Sequence, residues 1–114
     1  MWDVNTTDRF DEWYDSLDDV DRSRVLSSLI LLQEKGPMLS RPHADTIKGS
    51  KYTNMKELRV QSKGDPLRAF FAFDPERKGI VLCAGNKAGN EKQFYDRMIP
   101  IADSEYANHL TKVG

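Results

Sequence analysis

The chain has 114 residues, 39% of them apolar and 31% charged, with a formal net charge of −1. That suits one compact domain over residues 1–114, able to bury about two-thirds of the surface that its unfolded form exposes. No uninterrupted apolar run exceeds five residues, and the helical one, Leu29–Leu32, has four, far too short for a bilayer-spanning helix. The acidic N terminus has no apolar signal core, so a cytoplasmic location without membrane contact is expected.

In chain order, Trp2–Val4 is predicted to form a short first strand. Thr7 can cap a helix whose apolar residues Phe10, Trp13, Tyr14 and Leu17 recur at three- and four-residue spacing. Asp18 or Asp19 then caps a second helix, with Val25, Leu26, Leu29, Ile30 and Leu32 expected on its buried side, ending at Gly36-Pro37. Two helices with so tight a junction make an antiparallel hairpin, and their apolar stripes are core packing. Residues 38–54 are expected to be irregular and to cross the sheet edge, with His43 a loop residue.

Three strands follow. In Glu57–Gln61, Leu58 and Val60 face one side while Glu57, Arg59 and Gln61 face the other. In Leu67–Asp74, Leu67, Ala69, Phe71 and Phe73 share a side, leaving Arg68, Phe70 and Ala72 opposite. A Gly64-Asp65 turn within Ser62–Pro66 joins the two as a hairpin, and 74–79 leads to a third strand at Ile80–Ala84. Arg59 and Arg68 are thereby expected to meet on the open face of an antiparallel sheet whose other face packs on the helices. Cations set into a sheet that otherwise needs apolar residues suggest a surface built to hold an anion.

Residues 85–90, Gly-Asn-Lys-Ala-Gly-Asn, lack the spacing of a nucleotide-binding loop and read as a flexible turn exposing Lys87. Glu91–Lys112 is predicted to be a helix with Phe94, Tyr95, Met98, Ile101 and Ala102 inward, disrupted or kinked at Pro100. His109 has no obvious partner. Cys83, the sole cysteine, lies in an apolar strand and reads as buried and inert. No His/Cys/Asp/Glu group has zinc-like spacing, so neither metal nor cofactor is expected. Residues 1–21 hold eight acids and one base, leaving a balance of +6 for the other 93. A basic remainder of that size suits a polyanionic partner.

The element order, with the phrases RPHADTIKGSKYTNMKELR, LRAFFAFDP and LCAGNK, resembles the RelE/ParE toxin superfamily, in its HigB-like branch with the phage Gp49-like toxins. The resemblance covers roughly residues 8 to 110. It implies a small α+β fold, with an N-terminal helical hairpin packed on an antiparallel sheet of three to four strands and a C-terminal helix. It further implies the toxin of a toxin–antitoxin module, a metal-independent endoribonuclease that cleaves messenger RNA on the ribosome through 2′-hydroxyl attack. The implied partners are the RNA, the ribosome and a cognate helix-turn-helix antitoxin, through which alone operator DNA would be met.

By position in the family motif, Arg59 and Arg68 match arginines that hold the scissile phosphate, Lys87 a basic residue for phosphate or proton-transfer work, and Tyr95 an aromatic for base stacking or proton donation. Glu57 is a candidate base, Phe94 is a rival to Tyr95, and Lys48, Lys56, Lys63 and Lys92 are candidate RNA contacts. Unlike RelE, this chain has Met55 and Glu57 where a lysine-rich strand would lie. The alternative function is that of ParE relatives, which share the fold but inhibit DNA gyrase through protein contacts without cutting RNA.

Overall fold

The computed structural model describes residues 1–113. Its elements run Val4–Thr6 (β1), Asp8–Asp15 (α1), Asp19–Lys35 (α2), Ala44–Thr46 (β2), Lys56–Ser62 (β3), Asp65–Phe73 (β4), Gly79–Asn86 (β5) and Glu91–Val113 (α3). The strands form one sheet in the order β1-β5-β4-β3-β2, with β1 parallel to β5 and the other pairs antiparallel. The expected α+β architecture stands, with five strands rather than three or four. The additions are three-residue edge strands: β1, displaced two residues from the predicted Trp2–Val4, and β2, inside the stretch expected to be irregular. Strands this short carry no readable alternation, and a ladder with a longer neighbour defines them.

The helical hairpin begins where its caps predict. The Thr7 hydroxyl accepts from the Phe10 N–H at 3.1 Å, and the Asp18 carboxylate accepts from the Asp21 N–H at 2.9 Å. Gly36 ends α2 with φ +60, and a Cβ there would sit 2.5 Å from the Trp2 indole, so only glycine fits. Val25 and Leu32 are buried against Phe10, Leu58, Val60, Leu67, Ala69, Phe71 and Val81, forming the core between the hairpin and one face of the sheet. Leu26 and Ile30 were expected there but are nearly half exposed. Each lies one residue beyond the Val25–Leu29–Leu32 stripe, which rotates it about 100° away from the sheet.

The β3–β4 connection is tighter than predicted. Ser62 pairs with Asp65, so Lys63 and Gly64 form the two-residue turn, both with positive φ. The expectation of an open second face is corrected. α3 lies across it, packing Phe94, Met98, Ala102 and Tyr106 on Phe70, Ala72, Ile80, Leu82 and Cys83. The helix runs unbroken through Pro100. Residues 47–54 fold back onto α3, where the buried Asp103 carboxylate accepts from the Ser50 hydroxyl at 2.5 Å and the Lys51 N–H at 3.0 Å. α3 packs chiefly on β5, with fewer contacts to β4, so the arginine-bearing end of β3 and β4 lies along its margin.

Candidate active site

The ladder register sets Arg59 directly opposite Arg68, and Arg68 opposite Gly85, in one rung across three strands. Like charges directly opposed on a sheet repel. The group that offsets them is Glu57, two residues before Arg59 and therefore on the same face. Its Oε1 lies 3.7 Å from Arg68 Nε and its Oε2 3.9 Å from Arg59 Nε. Tyr95, in the first turns of α3, donates its hydroxyl to Glu57 Oε1 at 2.6 Å. Two guanidiniums, one carboxylate and one phenol thus share a single patch with a net charge of +1.

Access to the patch is uneven. Arg68 is 5% exposed and Glu57 6%, whereas the Arg59 side chain is 34% exposed. Arg68 Nη1 donates to the Leu67 carbonyl at 3.0 Å, but its buried Nε has no hydrogen-bond partner among the described residues. An unpaired buried donor is costly, more so when charged. Burial and, after it, the hydrogen bond to Glu57 push the Tyr95 phenol well above its ordinary value near 10, with Arg68 opposing. The phenol is therefore a proton donor over the working pH range and not a base.

The remaining predicted site residues fall in three places. Lys87 follows β5 on the α3 side, two residues beyond Gly85. Its N–H bonds the Pro66 carbonyl, and its ammonium pairs with Glu91 at 3.1 Å, leaving the side chain only 16% exposed. It is thus more covered than an exposed turn lysine. Lys92 is exposed on α3 and pairs with Asp96 at 2.7 Å, and Lys48 is exposed in the loop after β2. Lys56 and Lys63 lie apart from the cluster: Lys56 donates to the Pro37 carbonyl at 3.0 Å, and Lys63 pairs with Asp18 and Asp21 at the start of α2.

Phe94 is buried beneath the rung, where a Cβ on Gly85 would come within 3.0 Å of its ring, so Tyr95 is the aromatic that reaches Glu57. Gly85 is the feature that sequence reasoning missed. A glycine inside an apolar strand is a signal of close approach, here by the Phe94 ring.

Outside the cluster, His109 has a partner that the sequence did not suggest. Its Nε2 lies 2.8 Å from Oδ2 of Asp74, whose side chain is fully buried. Burial alone would push the Asp74 carboxyl up. The bonds from His109 and from the Lys78 and Glu76 amides outweigh burial and hold it below its ordinary 3.8. Burial pushes the Cys83 thiol up to about 12. Among the described residues no group of three or more His, Cys, Asp or Glu is placed to hold a metal ion.

The fold is shared with RelE toxins. A double-arginine mutant of Escherichia coli RelE in the free state superposes with a TM-score of 0.60 at 14% identity, covering 82% of this chain and 90% of that one. RelE in the intact E. coli RelBE toxin–antitoxin complex gives 0.58 at 13% identity, covering 75% and 95%. Two candidate toxins of Mycobacterium tuberculosis H37Rv are similar in sequence. HigB2 is 44% identical over 106 residues, 92% of this chain, and HigB3 is 43% identical over 100 residues, 88% of it. The chain spans 53% of the length of HigB2 and 86% of HigB3. Residues 12–107 match the family described as phage derived protein Gp49-like. The chain belongs to this Gp49-like family of HigB-type toxins.

Proposed function

We propose that this toxin is an endoribonuclease that cuts messenger RNA, on translating ribosomes and in the cytoplasm, using the RNA's own 2′-hydroxyl as nucleophile and no metal ion. The observation that carries the reading is the rung in which Arg59 and Arg68 meet Glu57 and Tyr95. A protein target needs no such convergence of cations with a proton donor and a proton acceptor, whereas phosphodiester cleavage by an internal hydroxyl needs all three.

In the proposed reaction the scissile phosphate lies against Arg59 and Arg68, whose fixed charges offset the negative charge growing on the phosphoryl oxygens. Glu57 takes the proton of the 2′-hydroxyl as its oxygen bonds to phosphorus. The bond from phosphorus to the 5′-oxygen breaks, and that oxygen takes the Tyr95 proton. The products are a 2′,3′-cyclic phosphate and a free 5′-hydroxyl. Lys87 stands near the same end of the sheet for a phosphate contact. Lys92, on the exposed start of α3, is the candidate lysine best placed to extend the contact. Removal of one preorganised transition-state contact costs about 3–4 kcal/mol, or about 10²–10³-fold in rate, in well-characterised hydrolases.

The partner proposed for the resting cell is a helix-turn-helix antitoxin, with operator DNA met only through it. The likeness to RelE held in the RelBE complex supports this pairing. The test is induced expression of wild type and Arg68→Ala, with messenger 5′ ends mapped within minutes. New ends and growth arrest in the wild type alone are expected. Arrest without new ends would replace this reading with that of a gyrase-type protein target.

A further inference from the structure

The cluster that should receive the RNA phosphate is closed to it in the free protein. Arg68 and Glu57 are each more than nine-tenths buried, and only Arg59 offers substantial surface. The space between the two guanidiniums is already taken by a carboxylate, with one oxygen toward each Nε. That carboxylate is tethered from above by the Tyr95 hydroxyl. The fit is poor by the standard of a structural ion pair. Both nitrogen–oxygen separations exceed hydrogen-bonding distance, and the buried Arg68 Nε has no hydrogen-bond partner among the described residues. A buried pair kept for stability alone would be expected to satisfy that donor.

We propose that Glu57 is the site's own resting anion, occupying the phosphate position until RNA displaces it, and that this displacement arms the catalyst. The proposal rests on the ribonuclease reading and adds to it a mechanism of self-restraint. The incoming phosphodiester approaches from the exposed Arg59 and turns the Glu57 carboxylate out of the rung. It then takes up the unpaired Arg68 Nε. The same movement breaks the Tyr95–Glu57 hydrogen bond. Tyr95 is released to face the leaving 5′-oxygen, and Glu57 is released from two arginines to face the 2′-hydroxyl. The two proton-transfer groups hold each other idle at rest, and the substrate's phosphate separates them.

An ordinary structural role for Glu57 would make its loss harmful to binding. A resting anion predicts the reverse, because removing a like charge beside the phosphate position relieves repulsion. The test is calorimetric titration of a thymidine dinucleotide, which carries one phosphodiester and no 2′-hydroxyl, into wild type, Glu57→Gln and Tyr95→Phe. Glu57→Gln is expected to bind about tenfold more tightly and Tyr95→Phe severalfold more tightly. Arg59→Ala combined with Glu57→Gln is expected to abolish the gain. Equal or weaker binding by both single variants would overturn the proposal, and Tyr95→Phe alone decides it if Glu57→Gln does not fold. Messenger cleavage by the same wild-type preparation separates the two readings. Cleavage without the affinity gain removes the resting anion and leaves the nuclease. The gain without cleavage removes the nuclease and leaves a gated anion site.

Discussion

At the scale of single residues, each member of the rung makes a separable demand. Tyr95 donates to Glu57, and its phenol is held protonated by burial first and by that acceptor second. Tyr95→Phe removes the proton but keeps the ring against Phe70 and Phe94. Cleavage by this variant is therefore expected to fall about 10²-fold or more with little change in melting temperature. The phenol does not ionise in the working range, so the wild-type rate should show no falling limb from Tyr95 up to about pH 9. A rate profile with and without Tyr95 checks this. Arg68 differs, because its removal takes the buried cation from beside the buried Glu57 and leaves that carboxylate only the Tyr95 hydroxyl and the more distant, part-exposed Arg59. Arg68→Ala should cost about 3–5 kcal/mol in chemical denaturation as well as activity. The more exposed Arg59→Ala should lose activity with a much smaller stability change.

At the scale of elements, α3 carries Tyr95 near one end and His109 near the other, so its docking on the sheet sets the site. Asp74 anchors the far end, bonded to His109 and to its own turn. Its folded pKa lies below the ordinary 3.8, so its contribution is fully present above that value and is lost as pH falls through the lower folded one. Asp74→Asn should destabilise by about 2 kcal/mol at neutral pH. That gap should close in acid below about pH 4 in paired denaturation curves. At the near end, Gly85→Ala would press a methyl on the Phe94 ring and should cost about 1–3 kcal/mol. A wild-type melting temperature in Gly85→Ala would show that α3 is not seated as described.

The long helices and β3 to β5 were legible because each repeats its apolar pattern several times. β1 and β2 were not, since three residues cannot show a period, and the β1–β5 parallel pairing joins segments distant in sequence. The covered second face was half legible. Phe70, Ala72, Ile80 and Leu82 share it with Phe94, Met98 and Ala102 of α3. The alternating arginines drew attention to the part of that face that α3 leaves at its margin. Arg59, Arg68 and Glu57 could be set on one side from alternation alone. The Tyr95 contact with Glu57 depends on how α3 lies over the sheet, and the pairing of Lys56 with the Pro37 carbonyl and of Lys63 with the start of α2 depends on tertiary packing. No local pattern records either.

At the scale of the whole molecule, the net charge of −1 divides between an acidic helical hairpin and a basic remainder, but several of the cations are already engaged. Lys63, Lys87 and Lys92 face carboxylates, and Lys56 a carbonyl. Of the candidate contacts that leaves Lys48 and the two rung arginines that Glu57 holds only loosely, so free RNA is expected to make about three phosphate contacts at the site. Binding of single-stranded RNA to an inactive variant should show a log–log salt slope of about −2, as read by filter binding. A slope that shallow would agree with the proposal that the messenger is met on a ribosome.

The most direct measurement of the proposed chemistry uses purified toxin and programmed ribosomes, with messenger RNA that is either all-ribose or 2′-deoxy at the single cleaved nucleotide. Cleavage of the ribose message to a 2′,3′-cyclic phosphate and a 5′-hydroxyl, with none of the deoxy message, is the expected result. Cleavage of the deoxy message would contradict attack by the 2′-hydroxyl within the Arg59–Arg68 rung.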